Sequence, residues 1–195
     1  MSGFQLTALD ACMVSHEHKD HSACAGDLLK SGLPVYMSQG TAEALELEPV
    51  ETIQHGEQFA IGTIDVVPFN TFHDAAEPLG FLLKSRIDGD VLAFATDTVN
   101  LAYQFPGVNI LAIEANYDRE ILDRSEKLPE KVRDRITKSH MEIDSLCNYL
   151  KTLDLSQCRE IYLLHLSDAM SNTGGFICRV KKSVPAGTSV IVCPK

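Results

Sequence analysis

The chain has 195 residues, 45% apolar and 23% charged, which predicts one globular domain over residues 1–195 rather than two. Its net charge of −10 argues against a protein that holds nucleic acid by broad phosphate neutralisation, though not against bound cations inside a cleft. Six scattered cysteines without a C-x-x-C pair exclude a disulfide framework or zinc ribbon, and no run nears the ~18 apolar residues of a membrane span, so reduced, mostly buried thiols in a cytoplasmic protein are expected.

Taken in chain order, the segment 11–14 reads as a short buried strand running straight into the stretch Ser15-His16-Glu17-His18-Lys19-Asp20-His21. A helix follows over 22–30, stopped by Gly32 and Pro34, then a strand at 35–37 and a helix over 41–47. Between 52 and 98 the pattern turns to strands. Residues 61–69 alternate imperfectly, and 80–83 and 91–95 flank Asp88-Gly89, a hairpin turn signal. A buried strand is expected at 110–115, helix from 129 to 153, and strands at 161–164 and 190–192. Strands interleaved with helices predict a layered α/β architecture.

Three of the chain's seven histidines fall in the window 15–21. In an extended segment residues i and i+2 point the same way, so His16 and His18 can grip one ion, while Asp20 and His21 enter the next helix and can face a second position. Imidazoles with a carboxylate suit zinc, manganese or iron rather than calcium. Glu17 and Lys19, between them, are expected to face solvent. His55, in a polar turn, is read as a surface residue.

H-x-H-x-D-H after an apolar strand resembles the signature of the metallo-β-lactamase fold superfamily. That resemblance implies a four-layer αββα sandwich and three further ligands at strand ends, which the chain offers in order as His73 in His73-Asp74-Ala75-Ala76-Glu77-Pro78, Asp97 in Ala95-Thr96-Asp97-Thr98, and His165 in Leu163-Leu164-His165-Leu166-Ser167. With the segment Glu114-Ala115-Asn116-Tyr117-Asp118, these motifs resemble more closely the branch of YycJ/WalJ-like exonucleases, with PhnP phosphodiesterases and tRNase Z as more distant relatives. Members of the family carry strands ahead of the histidine motif. Only fourteen residues precede Ser15, so the sandwich is expected to be N-terminally shortened, with a strand edge open to a second copy or a partner subunit.

The resemblance implies two divalent ions, zinc or manganese and in some members iron. His16, His18 and His73 would hold one, Asp20, His21 and His165 the other, and Asp97 would bridge them. A phosphodiesterase or nuclease is then expected, acting on nucleic acid or a small phosphodiester, with metal activation of the attacking water, Asp20 orienting it and His140 serving the leaving group. A hydrolase of a small ester, thioester, lactone or lactam is the alternative, and a metal-binding, non-catalytic assembly subunit a second. Asp74, Glu77, Glu114, Asn116 and Asp118 are candidates either for orienting the ligands or for ordinary capping. The stretch 119–138 carries Arg119, Arg124, Lys127, Lys131, Arg133, Arg135 and Lys138 interleaved with acids. It reads as a solvated helix with i,i+4 pairs, or else as a flap guiding a phosphate backbone.

Overall fold

In the computed structural model, which describes residues 8–125 and 128–194, the period-two alternation of the short N-terminal strands sorts their side chains between two apolar layers. Strands β1 (Cys12–Met13), β2 (Val35–Met37) and β3 (Glu51–Thr52) form a parallel sheet in that order. On one face Val14, Val35 and Met37 pack with Ala25, Leu28, Ala42 and Leu45, which come from helices α2 (Ala25–Lys30) and α3 (Gln39–Leu45). Met13 and Tyr36 are one residue out of phase and face the other way, against Val66, Leu79 and Phe81 of a second sheet.

That second sheet has seven strands: β4 (Phe59–Ile61), β5 (Ile64–Asn70), β6 (Leu79–Ser85), β7 (Val91–Ala95), β8 (Ile110–Glu114), β9 (Glu160–Leu164) and β10 (Ser189–Val192). Their order is β10-β9-β8-β7-β6-β5-β4, antiparallel from β4 to β7 and parallel from β7 to β10. Its far face is covered by helices α6 (Ile143–Leu150) and α7 (Thr173–Lys181), which bury Ile143, Leu146, Leu150, Phe176 and Val180 against Leu111, Ile113, Ile161 and Leu163. Helix, sheet, sheet, helix is the expected αββα order. The antiparallel half is joined by short connections, whereas in the parallel half β8 and β9 are linked through the helical stretch 119–150 and β9 and β10 through α7; the β7–β8 connection carries no helix.

Several boundaries differ from the sequence reading, each for a local reason. The first helix is two pieces, α1 (Lys19–Ser22) and α2, because the Ser22 hydroxyl turns back onto the carbonyls of Glu17 and His18 (2.8 and 3.0 Å). Helix α3 starts two residues early because Ser38 caps it through the Thr41 amide, a contact worth about 1 kcal/mol. The strand expected at 61–69 is split by Gly62, whose φ of 54° makes the tight turn between β4 and β5. The helical region 129–153 is broken into α5 (Glu130–Ser139) and α6 at 140–142, where Glu142 caps α6; helix α4 (Arg119–Arg124) precedes them. The thiols are free, but only Cys147 and Cys158 are buried, because Cys24 and Cys178 lie on exposed positions. No helix among the described residues is long and apolar enough to cross a membrane.

The tightest backbone approach is at Gly80 in β6, where a Cβ would collide with the Phe69 ring and come within 2.8 Å of the Phe94 carbonyl. Gly80→Ala is therefore expected to destabilise the protein by about 1–3 kcal/mol, read as a lower urea midpoint with an unchanged slope. An unchanged midpoint would show that the Phe69 ring and the neighbouring strand can give way there.

Candidate metal centre

The candidate residues sit at the C-terminal ends of strands, and the chain's geometry there explains how they converge. The carbonyl of Ser15 accepts from Leu79 at the start of β6 (2.9 Å), which pins the loop after β1 to the large sheet. His16 and His18 lie on that loop, and Asp20 and His21 on the single turn of α1. His73 follows β5, Asp97 follows β7, and His165 follows β9. Asp97 and His165 both adopt left-handed backbone, φ 49° and 53°, a conformation that L residues enter at a cost. In both cases it turns the chain sharply at a strand end, and the two side chains meet.

The donors gather in sets whose ligand atoms lie within 4.8 Å of one another: His16, His18 and His73; Asp20, His21 and His165; His16 and His21 with Asp97; and Asp97 with Glu114, His140 and His165. Asp97 stands between them, 2% exposed, with one carboxylate oxygen 3.1 Å from His21 Nε2 and the other 3.4 Å from His165 Nδ1 and 3.6 Å from His73 Nε2. Burial alone would raise its pKa, but His21, His165 and the Thr96 hydroxyl (2.6 Å) outweigh it and hold the carboxyl well below the usual range. Burial, with His21 beside it, pushes His16 down to about 3, so its imidazole is neutral near pH 7.

The rings are held by groups that leave nitrogens free. His73 Nδ1 donates to the Ser139 carbonyl (2.8 Å), which sets its tautomer and leaves Nε2 unprotonated, 3.1 Å from His18 Nδ1. His16 Nδ1 contacts the Ser15 hydroxyl (3.1 Å), and its Nε2 is buried with no hydrogen-bond partner. His21 Nε2 is likewise buried; Asp20 and Asp97 lie 3.3 and 3.1 Å away but out of hydrogen-bond alignment. A buried, unsatisfied nitrogen costs about 1–3 kcal/mol, which coordination of a cation would relieve. Orphaned imidazole nitrogens around a carboxylate fit divalent metal ions.

His140 lies between α5 and α6, not on a helix N-terminus, with its side chain 13% exposed. Its Nδ1 donates to Glu114 Oε1 (2.7 Å), and His165 Nδ1 reaches the same oxygen at 3.0 Å. Glu114, fully buried at the end of β8, accepts the amides of Thr98 and Met141 on its other oxygen. Burial works against the His165 cation, but Glu114 and Asp97 together raise its pKa. Asn116 fixes the His165 backbone, donating to its carbonyl at 2.8 Å.

The other carboxylates divide between roles. Glu77 receives the Gly40 amide and steadies the start of α3, and Asp118 caps α4 while pairing with Arg179. Asp74 holds Arg135 of α5 (2.8 Å) and lies 3.3 Å from His73 Nε2. Glu17 does not face solvent, because its carboxylate takes the Ala76 amide (2.7 Å) and binds the two histidine loops together. His55 is exposed at its turn and accepts from the Asn70 amide at 3.3 Å.

A cleft of about 310 Å³ opens on the donors, with Val132, Arg135 and Ile136 of α5 forming one wall. A larger hollow of about 680 Å³ beside α3 is lined by Glu43, Glu46 and Glu48, and its size carries no comparable donor chemistry. Within 119–138 the charges are mostly paired, Arg124 with Glu120 and Lys138 with Asp134 at i,i+4, Arg133 with Asp123, and Arg135 with Asp74. Lys127 lies outside the described residues.

Fold and donor geometry together define a metallo-β-lactamase-type protein, and the chain belongs to the family described as the Beta-lactamase superfamily domain, which matches residues 3–166. Among individual proteins it is 32% identical over 172 residues to exodeoxyribonuclease YycJ of Bacillus anthracis, covering 80% of this chain and 63% of that protein. It is also 32% identical over 176 residues to exodeoxyribonuclease WalJ of Streptococcus pneumoniae strain D39, covering 82% and 64%. The chain thus spans a little under two thirds of the length of these relatives. Its backbone superposes on the metallo-β-lactamase fold protein YhfI of Bacillus subtilis with a TM-score of 0.73 at 16% identity, covering 98% of this chain and 77% of that one.

Proposed function

We propose that the protein is a dinuclear metal-dependent phosphodiester hydrolase of the nuclease type. The observation that carries this reading is His140, held by Glu114 at the edge of the donor cleft: it joins Asp97, Glu114 and His165 in a fourth donor group, yet the three groups that contain all the other histidines of the site form without it. The exodeoxyribonuclease names of the two relatives support the same reading. His16, His18 and His73 would hold one ion, Asp20, His21 and His165 the other, and Asp97 would touch both. The nitrogen-rich donor set with two aspartates suits zinc or manganese, and admits iron. Bound there, such ions supply Lewis acidity, neutralising charge on phosphoryl oxygens and lowering the pKa of water.

The chain's own residues then have distinct tasks. Asp20, with its side chain 64% exposed at the cleft mouth and Oδ2 3.6 Å from His165 Nε2, is placed to accept a hydrogen bond from the attacking water and orient it. His140 is anchored through Nδ1–H, so in its imidazolium form the Nε2–H is the bond that breaks to give a proton to the departing oxygen as the P–O bond breaks, leaving the neutral ring on Glu114. Val132 and Ile136 narrow the cleft and limit water around the reacting phosphate.

Metal analysis of protein purified without added metal should find about two ions per chain. The same protein should hydrolyse bis(p-nitrophenyl) phosphate and DNA in zinc or manganese. His140→Ala should retain its metal and lose about 10²–10⁴-fold in DNA hydrolysis. Undiminished rates in that variant, together with turnover of a small ester, would move the assignment to a small-molecule hydrolase.

A further inference from the structure

His140 lines a second cavity besides the metal cleft, a hollow of about 390 Å³ whose wall includes Val99, Tyr117, Arg119 and Glu142. We infer that this cavity receives the leaving-group nucleotide of a single-stranded polynucleotide, with Arg119 engaging the next phosphate and Phe72 stacking on the base. The inference rests on the phosphodiesterase reading and adds to it the form of the substrate.

Three observations carry it. A group that protonates the departing oxygen must sit between the reacting phosphate and whatever departs, and His140 is common to both cavities. Arg119, exposed at the start of α4 with its guanidinium 5.8 Å from the Tyr117 ring centroid, has no carboxylate partner among the described residues. Its basic neighbours Arg124, Arg133, Arg135 and Lys138 are all paired. Of the acids on the same wall, Asp144 pairs with Arg179 (3.3 Å), and Glu142 caps α6 through Oε2 while its Oε1 is buried with no hydrogen-bond partner. Lys131 also lacks a carboxylate partner among the described residues but does not line this cavity, so Arg119 is the cation on the cavity wall placed to meet a phosphate. Phe72 is 48% exposed, the one aromatic among the exposed large hydrophobic side chains of the described residues. Its amide donates to Thr98 Oγ1 and its carbonyl accepts from Val99, both at 3.0 Å, which fixes it next to the cavity wall. A cation on the wall and an exposed aromatic bonded to the wall residue Val99 are the two elements that hold single strands without reading their sequence.

The test compares a single-stranded oligonucleotide with thymidine 5′-p-nitrophenyl phosphate, which has no following phosphate. Arg119→Ala and Phe72→Ala should each lower the ratio of kcat/KM for the oligonucleotide over that for the small ester by about 10-fold. Arg119→Ala should also flatten the salt dependence of oligonucleotide KM by about 0.7 log units per log unit of salt, the loss of one phosphate contact. Arg124→Ala, a paired arginine on the same helix, should leave the ratio as it is. An unchanged ratio in both cavity variants would overturn the inference while leaving the hydrolase standing. A wild-type protein that holds metal and turns over neither substrate would overturn the hydrolase reading and this inference with it.

Discussion

Asp97→Asn should remove metal binding and reduce phosphodiester hydrolysis on the order of 10³-fold or more, with the fold intact. Asparagine is the informative replacement, because it tolerates the left-handed backbone that Asp97 adopts (φ 49°) and keeps the shape while deleting the charge. What it removes is the anion that four rings share: His21, His165, His73 and His140 lie 3.1, 3.4, 3.6 and 3.7 Å from one or other of its oxygens. Without that charge no group would join the His16–His18–His73 set to the Asp20–His21–His165 set. His21→Ala should behave alike, since its Nε2 lies nearest to Asp97. Elemental analysis beside circular dichroism reads the result; full metal occupancy and wild-type rates in either variant would sink the scheme.

Glu114→Gln is the second large effect. The buried carboxylate accepts from four donors, the amides of Thr98 and Met141 and the Nδ1 atoms of His140 and His165. A glutamine brings an NH₂ where only acceptors fit, so at least one donor faces a donor. The expected cost is about 2–4 kcal/mol of stability, seen as a lower urea midpoint. Hydrolysis should fall by about 10²–10³-fold, and more for substrates with a poor leaving group, because the ring that serves the departing oxygen loses its anchor. An equal loss for good and poor leaving groups would show that Glu114 only supports the fold.

Much of the candidate metal centre was legible in the chain. The loop 15–21 announces itself through residue type and spacing, because two ligands at i and i+2 of an extended segment need no tertiary information to share a direction. His73, Asp97 and His165 were found through resemblance of their motifs and sit where strands end. The carboxylate that orients the rings was harder to see. Glu114 and Asp118 lie four residues apart in one motif, yet the first receives His140 and His165 while the second caps a helix and meets Arg179. Nothing local distinguishes them, since each is an acid at a strand-to-helix passage. Glu17 misled for the same reason: its partner, the Ala76 amide, is 59 residues away.

By itself the chain determined the alternation that layers β1 and β2, the hairpin at Asp88-Gly89, and the donor types of the first metal loop, all of which rest on interactions within a few residues. Only the tertiary structure decided which long-range partners each polar group would have. It turned Asp97 and His165 into one site through left-handed backbone at two strand ends. It took the Ser139 carbonyl for His73 and the Glu114 carboxylate for His140 and His165. It also left Arg119 without a counter-ion among the described residues while Arg124, Arg133, Arg135 and Lys138 found theirs. The physical reason is one of range. Backbone periodicity is written in adjacent residues, whereas the charge and hydrogen-bond balance of a cleft depends on which distant segments the packed sheets bring within about 3 Å of each other.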